Sequence, residues 1–155
     1  MNVQGLVLTL RPATLEDADK LLVWRNEPDA VAMSKNQSTV TLDEHLSWLE
    51  DVFSGVVPVS IFILESEGAS LGYVRIAHEL NTGILSIALD RSVRGDGLSW
   101  QALDLAMGMA RARYLYTLQA TVKRDNLASR RLFSSHGFVI VNNPLEEWLE
   151  YELEL

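Results

Sequence analysis

Residues 87–99 read Ile87-Ala88-Leu89-Asp90-Arg91-Ser92-Val93-Arg94-Gly95-Asp96-Gly97-Leu98-Ser99: an apolar run, a short loop with two glycines, and the opening of an amphipathic segment. Leu98, Ala102, Leu105 and Met109 recur at helical spacing, so a helix is predicted from Gly97 to Arg113. A strand therefore turns directly into a helix. The first turn of a helix exposes backbone N–H groups without intrahelical partners and carries the positive end of the helix dipole. Glycines just before it let a phosphate approach that backbone, and Arg94 adds a charge-assisted donor. The stretch predicts a diphosphate site, although a plain strand-to-helix turn would also account for the glycines. It is not a Walker A loop, because no Gly-Lys-Ser/Thr follows. Nor is it a dinucleotide fingerprint, because Trp100 stands where the third glycine belongs.

Towards the N-terminus, Ile84–Asp90, Leu71–Ala77 and Val59–Leu64 are strand-like runs separated by Asn81-Thr82-Gly83 and Glu65-Ser66-Glu67-Gly68, which is the pattern of an antiparallel meander. Thr41 with Glu44 three residues on predicts a capped helix to about Phe53, with Leu42, Leu46 and Leu49 on its buried face. Residues 26–40 are polar and irregular. Thr14 before Leu15-Glu16-Asp17 predicts another N-cap and a helix to about Arg25, stopped by Pro28, and Val7–Arg11 is a first strand. Towards the C-terminus, Thr117–Val122 is a strand, Asn126–Ser135 a helix ended by Gly137, and Phe138–Val141 a short strand. Leu149, Tyr151, Leu153 and Leu155 then alternate with glutamates as a strand with one apolar face. The order β-α-α-β-β-β-α-β-α-β-β implies an α/β fold with a mixed sheet.

The 155 residues are enough for one domain, 1–155, with its own core. A net charge of -8 excludes a general binder of nucleic acid or of anionic membranes. There is no cysteine, and the three histidines have no metal-ligand spacing, so no metal is expected. No apolar run of spanning length and no signal-peptide pattern is present, so a cytoplasmic protein is expected.

A second signal is Asn126-x-x-Ser129, with Phe133 and then Gly137-Phe138. With Arg94-x-x-Gly97-x-Ser99 it resembles the two acetyl-CoA motifs of the GNAT superfamily of N-acetyltransferases, and the element order is similar over the whole chain. The resemblance implies a mixed sheet of six to seven strands flanked by about four helices, and acetyl-CoA as co-substrate. It implies that the backbone of Ile87, Ala88 and Leu89 pairs with the pantetheine arm. The pyrophosphate would lie on Arg94, Gly95, Asp96, Gly97, Leu98, Ser99 and Trp100, with Asn126, Ser129 and Phe133 completing the cofactor site. An N–H near Leu89 would stabilise the oxyanion as a free amine attacks in a ternary complex. A homodimer is compatible with the family.

Phe133 stands where many members carry a tyrosine that protonates the leaving thiolate, which phenylalanine cannot do. Candidate bases are Glu79, His78, Ser86 through a water, and His45, each with a bland alternative as a turn, surface or cap residue. Trp24-Arg25-Asn26-Glu27-Pro28-Asp29, Thr41-x-x-Glu44-His45-Leu46-x-Trp48 and Tyr73-Val74-Arg75 are similar to the branch that acetylates UDP-linked 4-amino sugars. That resemblance implies an acceptor site of Trp24, Arg25, Asn26, His45 and Arg75, with Lys35 and Trp48 in reach of a nucleotide. The Trp-Arg-Asn stretch also occurs in protein N-terminal acetyltransferases of the ribosomal-protein type, which is one alternative. A non-catalytic acyl-CoA sensor is another.

Overall fold

A computed structural model describes residues 7–36, 38–95 and 97–155. The chain runs β1 (Thr9–Pro12), a 3-10 turn (Leu15–Asp17), α1 (Ala18–Asn26), α2 (Pro28–Ala32), α3 (Leu42–Phe53), β2 (Val59–Ser66), β3 (Ala69–Glu79) and β4 (Thr82–Leu89). A 3-10 turn (Arg91–Val93), α4 (Leu98–Ala112), β5 (Thr117–Lys123), α5 (Leu127–Ser135), β6 (Val139–Ile140) and β7 (Trp148–Glu154) complete it. The strands form a seven-stranded sheet of order β1-β2-β3-β4-β5-β7-β6. Neighbours are antiparallel except β4 and β5, which are parallel across the α4 crossover.

Period-2 alternation divides the sheet into two working faces. Val74 and Ile76 of β3, Leu85 of β4 and Leu118, Ala120 and Val122 of β5 pack against Leu103, Ala106, Met107 and Ala110 of α4 and Phe133 of α5. On the other face Ile61 and Ile63 of β2, with Tyr73, meet Leu21 and Trp24 of α1 and Leu49 and Val52 of α3. Each large side chain buried this way contributes about 1.5–3 kcal/mol. Leu49, fully buried at 0% exposure, is the residue whose truncation to alanine would most directly loosen α3, at a cost of about 2–5 kcal/mol.

Several local expectations are corrected. The Thr14 cap opens a 3-10 turn, with α1 starting only at Ala18. Pro28 ends α1 and also opens α2, a position where its missing N–H costs nothing, so 26–40 is not wholly irregular. The buried face of α3 is His45, Leu49 and Val52, whereas Leu42 in its first turn is 48% exposed. The buried stripe of α4 is Leu98, Ala102, Leu103, Ala106, Met107 and Ala110, one residue round from that read along Leu105 and Met109. The seven strands agree with the expected six to seven, and five α-helices among the described residues with the expected four or so. No helix among the described residues is long and apolar enough to cross a membrane.

Candidate active site

Strands β4 and β5 pair only from Thr82↔Thr117 to Ile84↔Gln119. Beyond that they separate, although β4 stays paired with β3 as far as Leu89↔Gly72 and β5 with β7 as far as Lys123↔Trp148. A wedge opens in the middle of the sheet. Its orientation follows from one bond: Asp90 N–H donates to the Leu71 carbonyl at 2.8 Å. Hydrogen-bonded pairs on the β3 side therefore fall at Asp90, Ala88 and Ser86, and the N–H groups of Ile87 and Leu89 point into the wedge. Of the three residues expected to offer backbone there, Ile87 and Leu89 do so, while the Ala88 backbone is turned towards β3. The register is tight at this level: a Cβ on Gly72 would sit 2.3 Å from the Ala88 carbonyl oxygen. Gly72 thus lets β3 approach β4 closely behind Leu89, a role not read from the sequence.

The wedge continues as a cleft of about 650 Å³, reaching from Arg25 and Tyr73 to Ser99, Asn126, Ser129 and Phe133. At its head, Gly95 and Gly97 both have φ of +81°, the left-handed region that glycine enters without strain. Asp96 lies outside the described residues. Gly97 is the N-cap of α4 and supplies no side chain, so the N–H groups of Leu98, Ser99 and Trp100 begin the helix without a side-chain cap. Leu98 is buried at 0% exposure and fixes this helix start to the core. The Trp100 ring turns outward onto His136, with centroids 4.7 Å apart. Asn126 caps α5 by accepting from Ser129 N–H at 3.3 Å, so it is both a cap and part of the cleft wall. Phe133 lines the cleft and packs edge-on against Phe138 at 5.1 Å.

Arg94 is more committed than the sequence implied. Its Nε donates to the Leu89 carbonyl at 3.2 Å, and its terminal nitrogens bond the Glu27 carboxylate and, at 3.3 Å, Asp29. Arg91 bonds Glu27 as well, at 2.9 Å. Hydrogen bonds from Arg94 first, then Arg91, hold the Glu27 carboxyl below the usual carboxylate range against its desolvation. These ion pairs tie the glycine turn to the corner between α1 and α2. Asp90 makes a second tie, accepting from the Trp24 indole N–H at 2.9 Å and from Ser92 N–H at 3.0 Å.

On the α1/α3 face a second cavity of about 350 Å³ lies between α1, α3 and β3, and it shares Arg25, Tyr73 and Arg75 with the cleft. His45 lines it, and is a buried residue (5% exposed) rather than a surface one. Its Nε2 is 3.0 Å from the Ala18 carbonyl, which makes Nε2 the protonated nitrogen and leaves Nδ1 with a lone pair. Burial pushes its imidazole below the usual range, against the pull of that carbonyl. Ser86 lies on the same face directly opposite Arg75 and also lines the cleft.

Other expected acceptor and base residues have partners of their own, although Lys35 still lines the cleft and Trp48 the cavity. Trp24 is buried at 4% exposure and stacked on Tyr73 at 6.0 Å, so it is core. The Asn26 side chain bonds both the N–H and the carbonyl of Val40 at 2.8 Å, pinning the loop before α3. The Trp48 ring faces the Arg75 guanidinium at 5.1 Å. Lys35 pairs with Glu150 at 3.4 Å. His78 bonds Ser60 at 2.8 Å, and Glu79 is exposed at the end of β3; neither lines the cleft or the cavity. Tyr73 was missed, although its alternation with Arg75 along β3 already placed the two on one face.

An acetyltransferase (GNAT) domain matches residues 7–139, and the chain belongs to that family. It is an acyl-CoA-dependent N-acetyltransferase with acetyl-CoA as donor. A Streptomyces coelicolor protein named L-2,4-diaminobutyric acid acetyltransferase is 31% identical over 123 residues, covering 76% of this chain and 68% of that protein. The structure of a Brucella melitensis ribosomal-protein-alanine N-acetyltransferase is 26% identical, with a TM-score of 0.77 over 95% of this chain and 99% of that one. A domain from Methanocaldococcus jannaschii shares the fold, with a TM-score of 0.84 at 19% identity over 97% of this chain and 100% of that chain.

Proposed function

We propose that the protein acetylates the primary amine of a small molecule, with the amine entering from the cavity between α1, α3 and β3. The observation that carries this reading is the separation of β4 from β5 after Ile84, beside a glycine turn that leads into an N-terminus without a side-chain cap. A thioester supplies an activated acyl carbon. The free edge of β4 aligns the donor's amide arm as an added strand would. Leu98, Ser99 and Trp100 N–H groups hold the pyrophosphate. The edge-facing N–H of Leu89 receives the oxyanion as the amine nitrogen bonds to the carbonyl carbon and the C–S bond then breaks, while that of Ile87, about 6.6 Å along the strand, is left to pair with the amide arm. His45 takes the proton that the attacking ammonium must lose, with Nδ1 as the accepting atom and the Ala18 carbonyl fixing its tautomer. No tyrosine stands at 133, so the thiolate leaves unprotonated.

Two acceptors of different size fit this description. The first reading is a compact diamine of the diaminobutyrate kind, in line with the named activity of the Streptomyces coelicolor relative. The second is the 4-amino group of a UDP-linked amino sugar, favoured by the volume of the cleft and its continuity with the cavity. The first comes ahead because Trp24 is in the core and Arg75 lies over Trp48, which leaves less aromatic surface for a uracil ring. The test is thiol release from acetyl-CoA against 2,4-diaminobutyrate, UDP-4-amino sugars and short peptides. Turnover with either small amine supports the proposal. Turnover with peptides alone moves the function to protein N-termini, and CoA binding without turnover makes the protein a sensor.

A further inference from the structure

The arginines near the cleft of this acidic protein differ sharply in their partners, and Arg11 serves as a comparison. Arg11, Arg91 and Arg94 each pair with two carboxylates. Arg25 and Arg75 form no ion pair among the described residues, although both are half-buried and both line the cleft and the cavity. Glu44 lines the same cavity without reaching either guanidinium. The two cations are close enough that Arg25 disfavours the charge on Arg75, which burial already disfavours more strongly. A half-buried cation beside a second cation is unfavourable unless an anion joins them. Arg75 is held in this position by the Trp48 ring, at 5.1 Å, so its planar fork is already oriented.

The donor's pyrophosphate does not supply that anion. Arg75 stands opposite Ser86 in the middle of β4, whereas the glycine turn lies beyond the end of the strand at Leu89. Resting on the small-amine reading above, we infer that Arg25 and Arg75 form a receptor for an anionic group carried by the acceptor, which sets its amine towards β4. The receptor turns a general amine site into one selective for amines that carry an anion. Two sources present that chemistry: the carboxylate of a diamino acid and the diphosphate of a nucleotide sugar.

The experiment compares matched pairs: 2,4-diaminobutyrate with 1,3-diaminopropane, the same diamine without its carboxylate, and a UDP-4-amino sugar with the free 4-amino sugar. Charge-assisted bonds of this kind predict that the anionic member of one pair is preferred about 10- to 100-fold in kcat/KM. The pair showing the preference identifies the source. Arg25→Met and Arg75→Met should raise KM for that anionic acceptor until the pair members are equal, leaving the KM for acetyl-CoA in place. Arg75→Lys should restore part of the preference, because it keeps the charge and loses the fork. If Arg75→Met fails to fold, Arg25→Met carries the test. Equal use of both members in both pairs overturns the receptor, as does a preference that survives in the folded variants. If no amine of either pair is acetylated, the small-amine function itself falls and the receptor with it.

Discussion

Gly72→Ala isolates the positioning of the oxyanion donor. A methyl at Gly72 would lie 2.3 Å from the Ala88 carbonyl oxygen and 3.0 Å from the Leu89 Cα. A relaxed carbon–oxygen contact needs about 3.3 Å, so β4 must retreat by about 1 Å at Leu89. Misplacing a reacting group by that distance costs about 10²-fold in rate. The overpacking itself should cost about 1–3 kcal/mol, which lowers Tm by about 2–12 °C for a chain of this length. Gly83→Ala is the matched control. Its methyl would meet the Leu115, Ile76 and Leu118 side chains at 2.8, 2.9 and 3.0 Å, at the paired end of β4 away from the open edge. Thiol-release kinetics and thermal melts on both variants separate the effects: similar losses of Tm are expected, with the large loss of kcat confined to Gly72→Ala. A folded Gly72→Ala enzyme with wild-type kcat would refute the placement of the oxyanion donor on β4.

At the glycine turn, Gly97→Asp sets a carboxylate where the pyrophosphate is expected and should weaken CoA binding by at least about 100-fold, while Gly97→Asn, equally tolerant of the left-handed backbone but uncharged, should weaken it far less. Calorimetric titration with CoA reads both, and equal affinities would remove the phosphate from this helix end. For His45, a depressed imidazole stays neutral down to below its ordinary 6.5, so the acid limb of kcat/KM should fall below that pH. The same depression means that stability is fully present above the unfolded pKa and declines as pH falls through it. His45→Gln should lose the limb together with about 10²–10⁴-fold in rate; an unchanged limb would make His45 purely structural. Phe133→Tyr should leave kcat unchanged near neutral pH, because a thiol of ordinary pKa about 8.5 yields a competent leaving thiolate. A tenfold rise would show that protonation limits the reaction.

Local chemistry made much of this legible in advance. The strands follow from alternation, α3 and α5 from Thr41 and Asn126, which cap them as expected, and the turn before α4 from two glycines that both adopt positive φ. The short helix α2 escaped because five residues carry no period, and Pro28 reads as a stop as readily as a start. What sequence could not supply was contact across distance. Trp24 meets Asp90 66 residues away, and Arg94 meets Glu27 67 residues away. Those contacts move Trp24 from acceptor site to core, and Arg94 from a free phosphate ligand to a tie between two loops. Glu79 and His78 stand at the end of β3, whereas His45 is buried on the face of Leu49, four residues on, where its helical spacing with that leucine places it.

The sheet is in effect two half-sheets, β1 to β4 and β5-β7-β6, stitched by three residue pairs at one end. Such a seam would act as a hinge, and a donor filling the wedge as proposed would span it like a brace across an open book. Occupancy then becomes a mechanical state of the whole domain. With CoA in place the two halves should breathe together, and without it amide exchange should be fastest along the free edges of β4 and β5. Mass action gives the corresponding stabilisation, about 2.7 kcal/mol at a ligand concentration 100 times its Kd. The supply of acyl donor would thus govern how long the folded protein persists as well as how fast it turns over.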